Sequence, residues 1–132
     1  MCFDLDSEPP IPVIAGGAVG HSDLVLEAAD GNRFAAFLAE PVEPGGIGVV
    51  VLPDIRGLYR FYEELALRFA ERGMWSVAMD YFGRTAGVAR RDEHFEWEPH
   101  VAATAPETVA LDVRACVELL RSPAGGSCRS VF

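Results

Sequence analysis

The sequence predicts an α/β fold, a β-hairpin followed by βαβ units of a mostly parallel sheet. Three observations carry that prediction. Two short apolar runs, residues 24–28 and 34–39, flank Ala29-Asp30-Gly31-Asn32, and an Asp-Gly step between strand-like runs marks a hairpin. Residues 47–52 form a continuous branched run of the kind found in strands buried on both faces, and residues 75–79 form a second. Between them the period changes: Leu58, Phe61, Tyr62, Leu65, Ala66, Phe69 and Ala70 recur at helical spacing. The 132 residues, 50% hydrophobic and 23% charged, suit one packed domain.

Each element follows from its residues. Pro9, Pro10, Pro12, Gly16, Gly17 and Gly20 make residues 1–22 an expected irregular lead-in, with the domain proper at 23–132. A Pro/Gly loop, residues 41–46, separates the hairpin from the first buried strand. The helix beginning near Leu58 is stopped by Gly73, a residue suited to a left-handed turn, and the strand at 75–79 completes a βαβ unit. Such a crossover makes its two strands parallel and brings the loops at 53–57 and 81–87 together beyond their carboxyl ends.

Residues 81–105 are long for a connection, a length typical of a binding loop, a lid or short additional structure. Thr104-Ala105-Pro106-Glu107 has capping-box spacing. Val109, Val113, Cys116, Val117 and Leu120 then supply a second apolar helix face, closed by Pro123 and Gly125-Gly126. Ser130-Val131-Phe132 reads as the onset of another buried strand, so the chain is expected to be truncated.

Charge narrows the function. All 11 basic residues are arginine and 20 acids leave a net charge of -9, the wrong sign for binding phosphate backbones or anionic membranes. The longest apolar stretch, residues 45–53, falls far short of the roughly 20 residues that span a bilayer. Asp4, Asp6 and Glu8 give an acidic start unlike a signal peptide, and three cysteines without close pairing suit a reducing compartment. A soluble, cytoplasmic protein is the expectation, with nucleic acid and membrane as poor partners.

Two loops stand out. Leu52-Pro53-Asp54-Ile55-Arg56-Gly57-Leu58 joins a buried strand to a helix, where α/β proteins present backbone amides and a carboxylate to a ligand. On spacing alone, Asp54 as a helix cap and Gly57 as a turn-maker account for it equally well. Met79-Asp80-Tyr81-Phe82-Gly83-Arg84 places an arginine beyond the next strand, where its fork could hold a substrate carboxylate or make a surface ion pair.

Other chemistry-bearing residues have plainer readings. Cys128 precedes an apolar run, whereas an elbow nucleophile follows one, so it reads as a loop thiol. Cys116 falls on an apolar helix face, and Cys2 in a terminus. His94 and His100, with Asp92, Glu93, Glu96 and Glu98, match no metal-ligand spacing and read as a solvated acidic loop. Gly45-Gly46-Ile47-Gly48 precedes its strand, unlike a nucleotide-binding loop, and His21 is isolated. No metal or cofactor is expected.

Taken together, the Asp54-Ile55-Arg56-Gly57-Leu58 turn, the helix closing on Glu71-Arg72-Gly73, the strand running into Asp80-Tyr81-Phe82-Gly83-Arg84, and the helix ending Leu119-Leu120-Arg121-Ser122-Pro123 resemble the N-terminal half of the dienelactone hydrolase family. The likeness runs from about Leu24 to Phe132. It implies the N-terminal part of an α/β-hydrolase fold, stopping before the Gly-x-Cys-x-Gly or Gly-x-Ser-x-Gly elbow, with the triad's nucleophile, Asp and His beyond residue 132.

By position the resemblance makes Ile55 a backbone donor to the oxyanion, Asp54 the acid beside the nucleophile, and Arg84 a binder of the substrate carboxylate. Arg56 and Tyr81 join the substrate-binding set at the pocket mouth. Arg56 stands where the family often has an aromatic residue, and Pro53 replaces a polar one. The implied activity is hydrolysis of a small, carboxylate-bearing ester or lactone, with this chain inactive by itself. The alternatives are a non-catalytic anion-binding module built on Arg84 and loop amides, an inactive fragment, or a half-domain completed by self-association or by a second chain.

Overall fold

The computed structural model describes residues 3, 4 and 6–132, Val19 by its backbone alone. Strands β1 (Ala18–Glu27) and β2 (Arg33–Pro41) pair antiparallel, with Leu26 opposite Phe34. Strand β3 (Ile47–Val51), helix α1 (Arg60–Ala70) and strand β4 (Met74–Met79) form the βαβ unit, and β3 and β4 run parallel with Val50 opposite Val77. Gly73 holds φ +85°, and its absent Cβ would lie 2.9 Å from the Glu43 carbonyl oxygen, so the turn after α1 requires glycine.

Three helices follow: α2 (Gly83–Ala86), α3 (Glu98–Ala102) and α4 (Pro106–Arg121). A 3-10 turn at Pro123–Gly125 leads into β5 (Ser130–Val131), parallel to β3. The sheet order is β1-β2-β4-β3-β5, mixed because β2 meets β4 antiparallel.

Strand alternation builds a core on each face of the sheet. From β2, Phe37 and Ala39 join Ala78 of β4 against Phe61, Tyr62, Ala66 and Ala70 of α1. Phe34, Ala36 and Leu38 point the other way and join Val77 and Met79 against Cys116 and Leu120 of α4. The helical period read from the sequence thus selects the two inward stripes.

Two expectations need correction. Strand β1 starts at Ala18, inside the stretch 1–22 read as irregular. Its polar first half, His21-Ser22-Asp23, conceals it, and pairing of Gly20 with Glu40 and His21 with Ala39 creates it. The capping box does not form: Ala105 is the N-cap without a side-chain cap, and the Thr104 hydroxyl donates to the His100 carbonyl at 3.0 Å. Thr104 sits one residue too early, where it closes α3. Residues 81–105 hold α2 and α3, the short additional structure that is one of the readings open for a connection of that length.

Candidate functional site

The site is assembled where β3 and β4 end side by side. Asp54 begins a tight turn in which the Gly57 N–H donates to the Asp54 carbonyl at 3.1 Å and the Arg56 N–H donates to Asp54 Oδ1 at 2.9 Å. Aspartate suits that place because its carboxylate can close the turn onto a main-chain donor two residues on. The Asp54 N–H donates to the Tyr62 hydroxyl of α1 at 3.0 Å, and the Tyr81 hydroxyl donates to the Asp54 carbonyl at 2.5 Å. The Leu58 N–H faces the Asp80 carboxylate and pulls its pKa down. Among the described residues, the N–H groups of Asp54, Arg56 and Gly57 each meet an acceptor and that of Ile55 meets none.

An ion pair underlies the turn. Asp80 Oδ2 accepts from Arg91 Nε at 2.9 Å and Nη2 at 2.6 Å, and both side chains are almost wholly buried. Burial pushes the Asp80 carboxyl up, opposed by Arg91 and by the Phe82 and Leu58 N–H groups. Gly57, at φ +78°, rests on this pair: a Cβ there would lie 2.7 Å from Asp80 Oδ1. The sequence placed Asp80 in the loop after β4 but left Arg91 unmarked, because the two lie on an irregular connection across which no period pairs residues.

The N-terminal segment reaches the same turn. Phe3 stacks on Phe61 with ring centroids 3.9 Å apart, and its N–H donates to Asp54 Oδ2 at 3.1 Å. Its carbonyl accepts from Arg56 Nη1 at 3.1 Å and from the Tyr59 hydroxyl at 2.6 Å. Arg56 also faces Asp4 at 3.8 Å. These contacts join residues more than fifty positions apart and were not legible in the sequence.

Beside the turn lies a groove of about 720 Å³ lined by Leu52, Pro53, Tyr81, Val101, Val109 and Val113 among others. Asp54, Ile55, Arg56 and Tyr81 are therefore gathered at one end of the sheet, and Arg84 is not with them. Its guanidinium pairs with Asp30 of the hairpin turn and donates to Asp112 Oδ1 of α4 at 2.8 Å and to the Thr108 carbonyl at 3.2 Å. Asp112 is buried, which pushes its carboxyl up against the pull of Asn32 and Arg84, while Arg84 holds the Asp30 carboxyl below its ordinary value. Two carboxylates already match this cation.

The remaining candidates are placed elsewhere. Cys116 is buried on the α4 side, and burial pushes its thiol up to about 12. Cys128 is buried in the same layer, donates weakly to the Gly125 carbonyl at 3.5 Å, and is likewise raised by burial. Neither has thiolate character. Cys2 lies outside the described residues. His100 stacks on Phe95 at 5.1 Å with Nδ1 2.8 Å from the Thr85 hydroxyl, and His94 faces Glu93 at 3.5 Å. Among the described residues no three metal-ligating side chains converge, and no helix is long and apolar enough to cross a membrane.

The dienelactone hydrolase family matches residues 34–131, about three quarters of the sequence. The chain belongs to the dienelactone hydrolase family. Solved structures agree in fold. The protein named m3DLH superposes with a TM-score of 0.66 at 25% identity, over 89% of this chain and 50% of its own. The dienelactone hydrolase-like promiscuous phosphotriesterase P91 from metagenomic libraries gives 0.65 at 19% identity, over 84% and 47%. An acetyl xylan esterase from Paenibacillus sp. R4 gives 0.58 at 22% identity, over 98% and 44%. The chain thus spans about half the length of these structures or less. No curated protein matches it. The mixed five-stranded sheet with helices on both faces matches the α/β-hydrolase fold of these structures.

Proposed function

We propose that this chain supplies the oxyanion-donor side of a carboxylic ester or lactone hydrolase of the dienelactone hydrolase type. The observation that carries the reading is the unengaged Ile55 N–H, held in a turn whose Asp54, Arg56 and Gly57 N–H groups are all bonded. Attack on an ester carbonyl builds negative charge on oxygen, and a fixed amide stabilises that charge without reorganising; losing one such donor costs about 2.7–4 kcal/mol in the barrier. Asp54 is the acid at that turn, already bonded to the Arg56 and Phe3 N–H groups. Arg56 is the cation beside it and the better candidate than Arg84 to meet a carboxylate on the substrate. Among the similar structures, the name acetyl xylan esterase favours the same reaction class, and the name phosphotriesterase favours ester hydrolysis in the wider sense.

Acyl transfer also needs a nucleophile, a base and an orienting acid within hydrogen-bond reach of one another. Cys116 and Cys128 are buried, protonated thiols, so the 132-residue chain is expected to turn over no ester by itself. Arg84, matched by Asp30 and Asp112, weighs against the anion-binding alternative. The test is active-site titration with p-nitrophenyl acetate. The chain alone should give neither burst nor turnover, and the same chain continued through a Gly-x-Cys-x-Gly or Gly-x-Ser-x-Gly elbow and the rest of its fold should give both. A stoichiometric burst traced to Cys128 would overturn the assignment.

A further inference from the structure

We infer that the buried ion pair of Asp80 and Arg91 positions the turn bearing the Ile55 N–H and fastens the long β4–α4 connection to it. The inference rests on reading that turn as the oxyanion donor. Asp80 stands immediately after β4; its carboxylate faces the Leu58 N–H on one loop and accepts from the Phe82 N–H at 3.3 Å on the other and from Arg91 Nε and Nη2. Arg91 also donates to the carbonyls of Ala86, at 3.1 Å, and Gly87, at 2.7 Å, and lies 4.7 Å from the centroid of the Phe95 ring. One pair therefore packs against the end of the oxyanion turn at Gly57 and bonds the start of α2 and the chain beyond it.

The energetics favour a positioning role over a stabilising one. A buried pair repays its desolvation poorly, and apolar residues of similar volume often do as well or better. What an apolar pair cannot do is accept the Phe82 N–H and donate to two carbonyls at fixed angles while facing the Leu58 N–H with a negative charge. Gly57 shows how closely the turn is seated, since a Cβ would lie 2.7 Å from Asp80 Oδ1 and 3.2 Å from Arg91 Cγ. Neither residue lines the apolar groove, and among the described residues neither is hydrogen-bonded to the Asp54 carboxylate or to Ile55. Both are positioning residues.

The test uses the 132-residue chain with 15N labelling. Single removal of either charge strands the other, so the main variant is the double substitution D80N/R91M. Expected are wild-type amide shifts in the hairpin, a displaced Ile55 amide resonance, and Leu58 exchange accelerated at least tenfold relative to β1–β2. R91K keeps a charge for Asp80 but lacks the fork, so it should restore Ile55 and Leu58 while residues 86–95 remain fast. L120A, in the opposite core layer, should show no selective change at 55–58. Ile55 and Leu58 moving no more than hairpin amides in D80N/R91M would overturn the inference. Should that variant not fold, R91K decides: Ile55 and Leu58 loosening in step with residues 86–95 overturns it equally. Ester hydrolysis is no part of the readout, so a failure of the hydrolase reading would appear separately, in the titration above.

Discussion

Arg84 Nη2 lies 2.8 Å from Asp112 Oδ1, joining the segment after β4 to the middle of α4. The same guanidinium reaches Asp30, so one cation pins the hairpin turn, α2 and α4 together. An arginine poised to grip a substrate carboxylate would have spare charge; this one has two carboxylates and the Thr108 carbonyl.

Arg84→Met is accordingly expected to destabilise the fold. Breaking a fully buried pair costs about 3–5 kcal/mol, and the quarter exposure of Arg84 lowers the expectation to about 1–3 kcal/mol. Asp30→Asn should lose markedly less, because Asp30 faces solvent. Urea denaturation at neutral pH reads both, and an Arg84→Met midpoint equal to wild type would refute the pinning role.

Gly57→Ala tests the seat of the turn. A left-handed conformation costs a non-glycine residue roughly 1–2 kcal/mol, and the added Cβ must also displace Asp80. A loss exceeding that conformational cost, with the hairpin amides unmoved, is the expected result. Stability unchanged within error would mean that the turn is not held as described.

Alkaline pH should weaken the fold through Cys116. The thiol ionises near 9.0 when unfolded and only at about 12 when buried, so above pH 9 the unfolded chain sheds a proton that the native chain keeps. Stability therefore falls as pH rises between those values, by up to about 1.4 kcal/mol per pH unit for one such group. Burial of Tyr62, whose hydroxyl is also raised, acts in the same direction at higher pH. Denaturation of wild type and Cys116→Ala at about pH 8 and about pH 10.5 should show a shallower decline in the variant. Parallel declines would exclude Cys116 as the cause.

The N-terminal contact makes a fourth prediction. Phe3→Ala removes a stacked aromatic pair worth about 0.5–1.5 kcal/mol beyond its area and frees the segment that bonds Asp54 and Arg56. A lower thermal midpoint is expected, with amide shifts confined to residues 54–61. A variant with unchanged melting and unmoved turn resonances would show that the segment does not dock.

Much of this architecture is legible in residue order because it depends on period. The branched runs at β3 and β4, the stripe from Phe61 to Ala70 and the Asp30-Gly31 turn each report a local geometry, and together they predict the βαβ unit. The first half of β1 escaped because an edge strand with one exposed face needs no apolar signature. Thr104 misled because capping spacing was present one residue from where α4 begins. Of the site, the adjacency of residues 53–57 and 81–87 followed from the crossover, and the Tyr81 hydroxyl bonded to the Asp54 carbonyl is its concrete form.

Sequence by itself determined the fold class, the two loops at one end of the sheet and the family likeness, since hydrophobic period and turn chemistry are local properties of the chain. Tertiary structure alone decided which groups are spent and which remain available. Arg84 is neutralised by Asp30 and Asp112, Asp80 is committed to Arg91 and the Phe82 N–H, and the Ile55 N–H is left over. The physical reason is that a charge or a hydrogen-bond donor is satisfied by whatever lies within about 3 Å of it, and these partners come from segments that no sequence period relates.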